Sequence, residues 1–233
     1  MKKWIIFVLS FFMILALCAC GSSESDKRHS GNDIYLGYTS GADTFIDMPN
    51  LRQYGGYTCG TTCVQMIMNW IAPYESDINL QTYEKELGTT EEYGTPPKNI
   101  VQYFKDCGIG YKEAENITIE DLRAALDKGH PVMMCIQAWT IAEDGSFNVD
   151  NPSDSDTYLT DGHWVICVGY KKLDTEYQFY FNDPACVGYC IMSEGDLNSR
   201  WIDMDGEGTV YVHYGIEITE ETEFDDEGVF YLK

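Results

Sequence analysis

Basic residues are scarce in this chain: 15 lysines and arginines stand against 38 aspartates and glutamates, for a formal net charge of −23. That imbalance excludes nucleic-acid binding, which needs a basic face. It also removes electrostatic adhesion to anionic lipid headgroups. Long apolar runs are missing as well. Trp4 to Leu17 is apolar except for Ser10, too short for a membrane-crossing helix, which needs about 20 such residues. No internal repeat divides the chain, and its 233 residues suffice for one domain with a full core.

What is present begins at the N-terminus. Lys2 and Lys3 precede the apolar run, the layout of a secretory signal. Leu17-Cys18-Ala19-Cys20-Gly21 then resembles a lipobox. The expectation is a lipoprotein signal peptide over 1–19 and a diacylglycerol on Cys20. Two acyl chains meet the requirement for stable anchoring, so the protein is expected on the cell membrane, facing outside. Residues 20–43 are rich in Ser, Gly, Asp, Lys and Arg and read as a flexible tether.

Nine cysteines are present. Beyond Cys18 and Cys20, those left are Cys59, Cys63, Cys107, Cys135, Cys167, Cys186 and Cys190. Their number is odd, so an exported chain keeps at least one unpaired thiol, a flag for reactivity. Cys135 and Cys167 sit in apolar runs and behave as small core hydrophobes. The spacing of Cys186 and Cys190 permits a disulfide without requiring one.

The folded part is expected over 44–216. Thr44 to Met48 reads as a strand. After Cys59 comes the clearest helix: Gly60, Cys63, Val64, Ile67, Met68 and Ile71 form one apolar stripe, and Pro73 ends it. Further helices run from Pro97 to Asp106, closed by Gly108, and from Ile119 to Asp127, with Thr118 as N-cap and Gly129 as stop. Pro131 to Ile136 suits a buried central strand. The polar stretch 143–162 is a candidate lid or substrate loop. Trp164–Tyr170 and Tyr177–Phe181 read as a hairpin, and Thr209–Ile216 as a final strand. Residues 217–233 form an acidic C-terminal segment. Helices first and antiparallel strands second make the fold α+β.

Three residues stand where a thiol hydrolase needs them. Cys59 lies at the start of the buried helix, where unpaired N–H groups and the macrodipole favour an anion. His163 opens the hairpin and Asp183 closes it. A turn centred on Leu173 places the two opposite each other, as base and orienting acid. Asn182 and Asp183 point to opposite faces of a strand, so only one can serve His163, and the hairpin symmetry favours Asp183. The rival histidines are weaker: His29 lies in the tether, His130 in a Gly-His-Pro turn, and His213 mid-strand with no obvious acid after it. Cys59-x3-Cys63 and Cys186-x3-Cys190 with His163 can be drawn around zinc, but Cys63 belongs to the core stripe and the spacing is not that of a zinc knuckle. No metal and no cofactor is expected.

These residues resemble a known family. Gln-Tyr-Gly-Gly-Tyr-Thr-Cys-Gly from Gln53, Gly-His-Pro-Val from Gly129, Gly-His-Trp-Val from Gly162 and Asn-Asp-Pro from Asn182 look like a C39-like cysteine peptidase domain. The resemblance implies a papain-like fold, N-terminal helices on an antiparallel sheet, with Cys59, His163 and Asp183 as triad. It also implies that Gln53 supplies the side-chain donor of the oxyanion hole. The expected activity is a cell-surface thiol hydrolase acting on peptide or isopeptide bonds of a peptide or protein substrate. A peptidoglycan-directed amidase or endopeptidase and a catalytically idle surface-binding domain are the alternatives. The best-known members are fused to peptide-exporting ABC transporters; this sequence carries no transporter segments or nucleotide-binding motif, which argues against leader processing.

Overall fold

The apolar stripe after Cys59 becomes the helix against which the sheet is built. A computed structural model describes residues 41–72, 79–138, 159–186 and 188–220. The expected signal, Cys20, nearly all of the tether, most of the 143–162 stretch and most of the acidic segment lie outside these. Among the described residues no helix is long and apolar enough to cross a membrane.

Helix α1 (Cys59–Ile71) buries Cys63, Val64, Met66 and Ile67 completely. Its second residue must be glycine. A Cβ on Gly60 would lie 2.7 Å from Thr95 Cβ and 2.9 Å from the Trp164 ring, well inside van der Waals contact. Helix α2 (Leu80–Leu87) was not anticipated; it is capped by Asn79 and buries only Tyr83 and Leu87. Helix α3 (Pro97–Asp106) starts with proline at its first position, where no N–H is missed. Helix α4 (Ile119–Leu126) carries a full capping box between Thr118 and Asp121. Both match the sequence expectation within a residue.

Among the described residues the main sheet has seven antiparallel strands. Its order is β2 (Tyr111–Ala114), β9 (Gly215–Ile218), β3 (Val132–Gln137), β4 (Gly162–Lys172), β5 (Tyr177–Asn182) and β6 (Tyr189–Ser193). Strand β1 (Thr44–Phe45) pairs with β4 where β3 has ended. Helix α5 (Glu194–Arg200) leads from β6 into a small second sheet of β7 (Ile202–Met204) and β8 (Val210–Val212). Helices α1 and α4 pack on β4, whose residues from His163 to Tyr170 are all buried. This is the α+β arrangement expected.

Three expectations are corrected. The strand from Thr44 stops at Phe45, although Ile46 N–H still reaches Val168 O at 2.7 Å. The single strand 209–216 is two strands, because His213 takes a left-handed φ of +46° between them. Its ring stacks on Trp201 at 5.0 Å, and β9 continues to Ile218, past the expected end of the folded part. The hairpin does not turn about Leu173. Lys172 pairs with Tyr177 and Leu173 N–H bonds Glu176 O, which centres the turn beyond Asp174. His163 therefore does not lie directly across from Asp183 in the β4–β5 ladder, which pairs Ile166 with Asn182.

Candidate active site

The shifted turn would have turned Asp183 away from His163, but an irregularity in the ladder restores the geometry. From Lys172 to Gly169 the register of β4 on β5 is constant; between Gly169 and Cys167 it slips by one residue. A slip of one exchanges the faces of every later side chain. Past the bulge, Phe181 sits across from Cys167 and Asn182 across from Ile166. Asp183, one step on, thus shares the face of Val165 and His163. The bond forms on the diagonal: His163 Nε2 meets Asp183 Oδ1 at 2.7 Å. Asp183 Oδ1 also accepts Ala185 N–H at 2.8 Å.

Cys59 also acts on this imidazole and helps to raise its pKa. Since Nε2 is taken by Asp183, Nδ1 is the nitrogen left for the thiol. Cys59 and His163 are only 6% and 3% exposed. Thr58 ahead of Cys59 makes no side-chain cap bond, and no acidic residue occupies the first turn of α1, so the helix terminus keeps its N–H groups for another anion. Burial works against a charged His163, yet the bonds from Asp183 and Cys59 prevail and raise it to about 9. Burial likewise opposes the Asp183 carboxylate, while His163 and the Ala185 N–H hold it below the usual carboxylate range.

Cys63, Cys135 and Cys167 are buried, and desolvation pushes each thiol up. Cys63 donates to Trp164 O at 3.4 Å as a core group. Asn182 is fully buried and committed elsewhere: its Nδ2 donates to Pro49 O at 3.1 Å and its Oδ1 accepts from Asn50 Nδ2 at 3.2 Å. It ties down the loop leading to Cys59 and leaves the histidine to Asp183.

Gln53 sits in that loop, pinned by its own N–H to Pro184 O at 2.8 Å, one residue beyond Asp183. Its Nε2 donates to Gly55 O at 2.7 Å, and its Oε1 is buried without a partner. The amide thus folds back on its own loop.

A cleft of about 620 Å³ opens over Cys59, lined by Tyr57, Tyr93, Trp164, Asp203 and Tyr211 among others. Asp203 has no signal in the sequence; it arrives from β7, forty residues after His163. Burial pushes its carboxyl up to about 7, against the Met204 N–H and the Gln137 amide at 2.9 Å. Gly162 makes room for it: a Cβ there would lie 2.5 Å from the carboxylate. Close to Asp183, the half-buried thiols of Cys186 and Cys190 approach its Oδ2.

The profile of the Peptidase_C39 like family matches residues 45–208. No curated protein matches the chain. Among solved structures, a protein assigned as a C39-like peptidase from Bacillus anthracis is 15% identical, covering 77% of this chain and 99% of its own, with a TM-score of 0.52. This likeness shows the fold. A double glycine motif protease from an AMS/PCAT transporter, solved in complex with the leader peptide, is 16% identical over 76% of this chain and 96% of its own, at a TM-score of 0.47. The peptidase domain of Streptococcus ComA is 15% identical over 72% and 94%, at 0.45.

Proposed function

The chain belongs to the Peptidase_C39 like family and is a hydrolase of the cysteine-peptidase type, and from that premise we propose that it cleaves peptide or isopeptide bonds through Cys59, His163 and Asp183. The observation that carries the reading is one imidazole held between a carboxylate at 2.7 Å and a thiol at a helix start. His163 takes the thiol proton, and Cys59 Sγ attacks the carbonyl carbon. Charge develops on the carbonyl oxygen, which the Cys59 N–H and Gln53 Nε2 would receive; Gln53 must first release Gly55 O. His163 then protonates the leaving amine, and a thioester remains. Water, deprotonated by His163, attacks that thioester and frees the acid and the thiol. Another amine in place of water gives acyl transfer.

The place of action proposed is the outer face of the cell membrane, with Cys20 as the lipidated anchor and residues 20–43 as tether to the 44–216 domain. Labelling with an electrophilic thiol probe, wild type against Cys59→Ser, tests the nucleophile. His163 must also govern the rate: labelling of Cys59 no faster than of Cys107 and unchanged by His163→Ala would overturn the triad. For the anchor, Cys20→Ala is expected to move the protein from the membrane fraction into the medium, since the acidic domain has no attraction for anionic lipid. A variant that stays in the membrane fraction, with no lipid on the wild type, defeats that assignment.

A further inference from the structure

Asp183 offers its two oxygens to different neighbourhoods. Oδ1 serves His163 and Ala185 N–H. Oδ2 faces sulfur instead: Cys190 Sγ lies at 3.3 Å and Cys186 Sγ at 3.6 Å, and the two sulfurs are 3.1 Å apart. All three donor atoms fall within 4.8 Å of one another, with Asp183 buried and both cysteines half-buried.

We propose that Asp183 Oδ2, Cys186 Sγ and Cys190 Sγ form a binding site for a soft divalent cation such as Zn(II), built onto the back of the carboxylate that holds His163. Thiolates and carboxylates are both zinc ligands, and three protein donors leave the fourth position to water. Tetrahedral zinc sets a thiolate and a carboxylate oxygen roughly 3.5–3.7 Å apart and two thiolates roughly 3.8 Å apart; the sulfur–oxygen distances of 3.3 and 3.6 Å are close to this, and the sulfurs, 3.1 Å apart, would open by about 0.7 Å. The site is pre-assembled by backbone: Asp183 directly follows β5, Cys186 N–H bonds Asp183 O at 3.1 Å, and Cys190 is fixed in β6 opposite Phe181. The carboxylate is what favours an ion over a disulfide. A disulfide is neutral and gains nothing from an anion against both sulfurs, whereas a cation needs that charge. Binding displaces one proton from each thiol and leaves both sulfurs as thiolates on the metal.

Occupancy would draw Oδ2 toward the ion and stiffen the grip on His163, so zinc is expected to slow turnover. That coupling rests on the triad reading; the binding does not.

The experiment uses the full-length chain carrying Cys59→Ala, so that the thiol beside His163 cannot itself hold metal. Reduced, chelator-stripped protein is titrated with Zn(II) and separately with Co(II) under inert gas. One zinc per chain, release of about two protons, and a near-ultraviolet thiolate-to-cobalt absorption are expected. Adding Cys186→Ser and Cys190→Ser should abolish all three, while adding Cys107→Ser should abolish none. The cobalt spectrum of the undisturbed site keeps the test valid even if the double variant folds poorly. No saturable binding, a cobalt spectrum without the thiolate band, or binding that survives both serines overturns the proposal. So does a pair found oxidised that takes up no metal after reduction. With Cys59 intact, equal zinc inhibition with and without the two serines would defeat the coupling and leave the site. A Cys59→Ser variant that keeps full activity would defeat the triad and also leave the site.

Discussion

Two histidine–carboxylate pairs in this protein have the same length and opposite uses. His163 Nε2 meets Asp183 Oδ1 at 2.7 Å, and His130 Nδ1 meets Glu217 Oε1 at 2.7 Å. The second pair joins the turn before β3 to β9 and shares its carboxylate with Lys112 at 3.3 Å; both side chains are nearly a fifth exposed. The first is almost sealed from solvent and also feels the Cys59 thiol. An imidazole on a carboxylate is thus a structural clamp by default. It becomes a candidate proton carrier when burial and a nucleophile are added.

Removing the nucleophile separates the pairs most sharply. Cys59→Ser is expected to lower kcat/KM by at least about 10³-fold, and His163→Ala by about 10²–10⁴-fold, in assays on a fluorogenic peptide library. His130→Ala should leave turnover near wild type; a comparable loss there would erase the distinction.

Asp183→Asn comes next. His163 is raised to about 9, so its imidazolium, the proposed acid for the leaving group, persists through neutral pH and is lost as pH rises through about 9. Without the carboxylate the alkaline limb of activity should move down by about 1–3 pH units, read from pH profiles of turnover and of Cys59 alkylation. An unmoved limb would show that Asp183 does not orient the base.

Asn182→Ala should act on stability rather than chemistry. It strips a buried amide from the carbonyl of Pro49, at a cost of about 1–3 kcal/mol, measured by denaturant unfolding. Loss of activity with unchanged stability would give the orienting role to the amide. The smallest effect is expected from Glu217→Gln, about 1 kcal/mol or less for a partly exposed pair and no change in the pH profile.

The legibility of these features in the sequence follows physical lines. Helices α1, α3 and α4 announce themselves through a long apolar stripe, Pro97 at a first turn, and the Thr118–Asp121 box. Helix α2 escapes notice because a buried Tyr83 and Leu87 make too short a stripe. Cys59, His163 and Asp183 are brought together as their order along the chain suggests, but by a different route. The symmetry argument misplaced the turn, and a bulge that no residue pattern signals carries Asp183 back to the right face. Asp203 was illegible because its place in the cleft depends on the packing of a second sheet, which leaves no local periodicity.

That bulge sets the reading frame of the triad. Asn182 and Asp183 are consecutive, and the ladder upstream decides which of them His163 meets. Deleting one residue of β4 between that bulge and His163, with the rest of the ladder held, would bring Asn182 onto the face of His163 and send Asp183 to the far side. The exchange of carboxylate for amide would need no change at either residue. In a sheet wired this way, an insertion or deletion several residues from the chemistry rewrites the orienting group, and descendants of one sequence can carry either partner without a substitution in the active site.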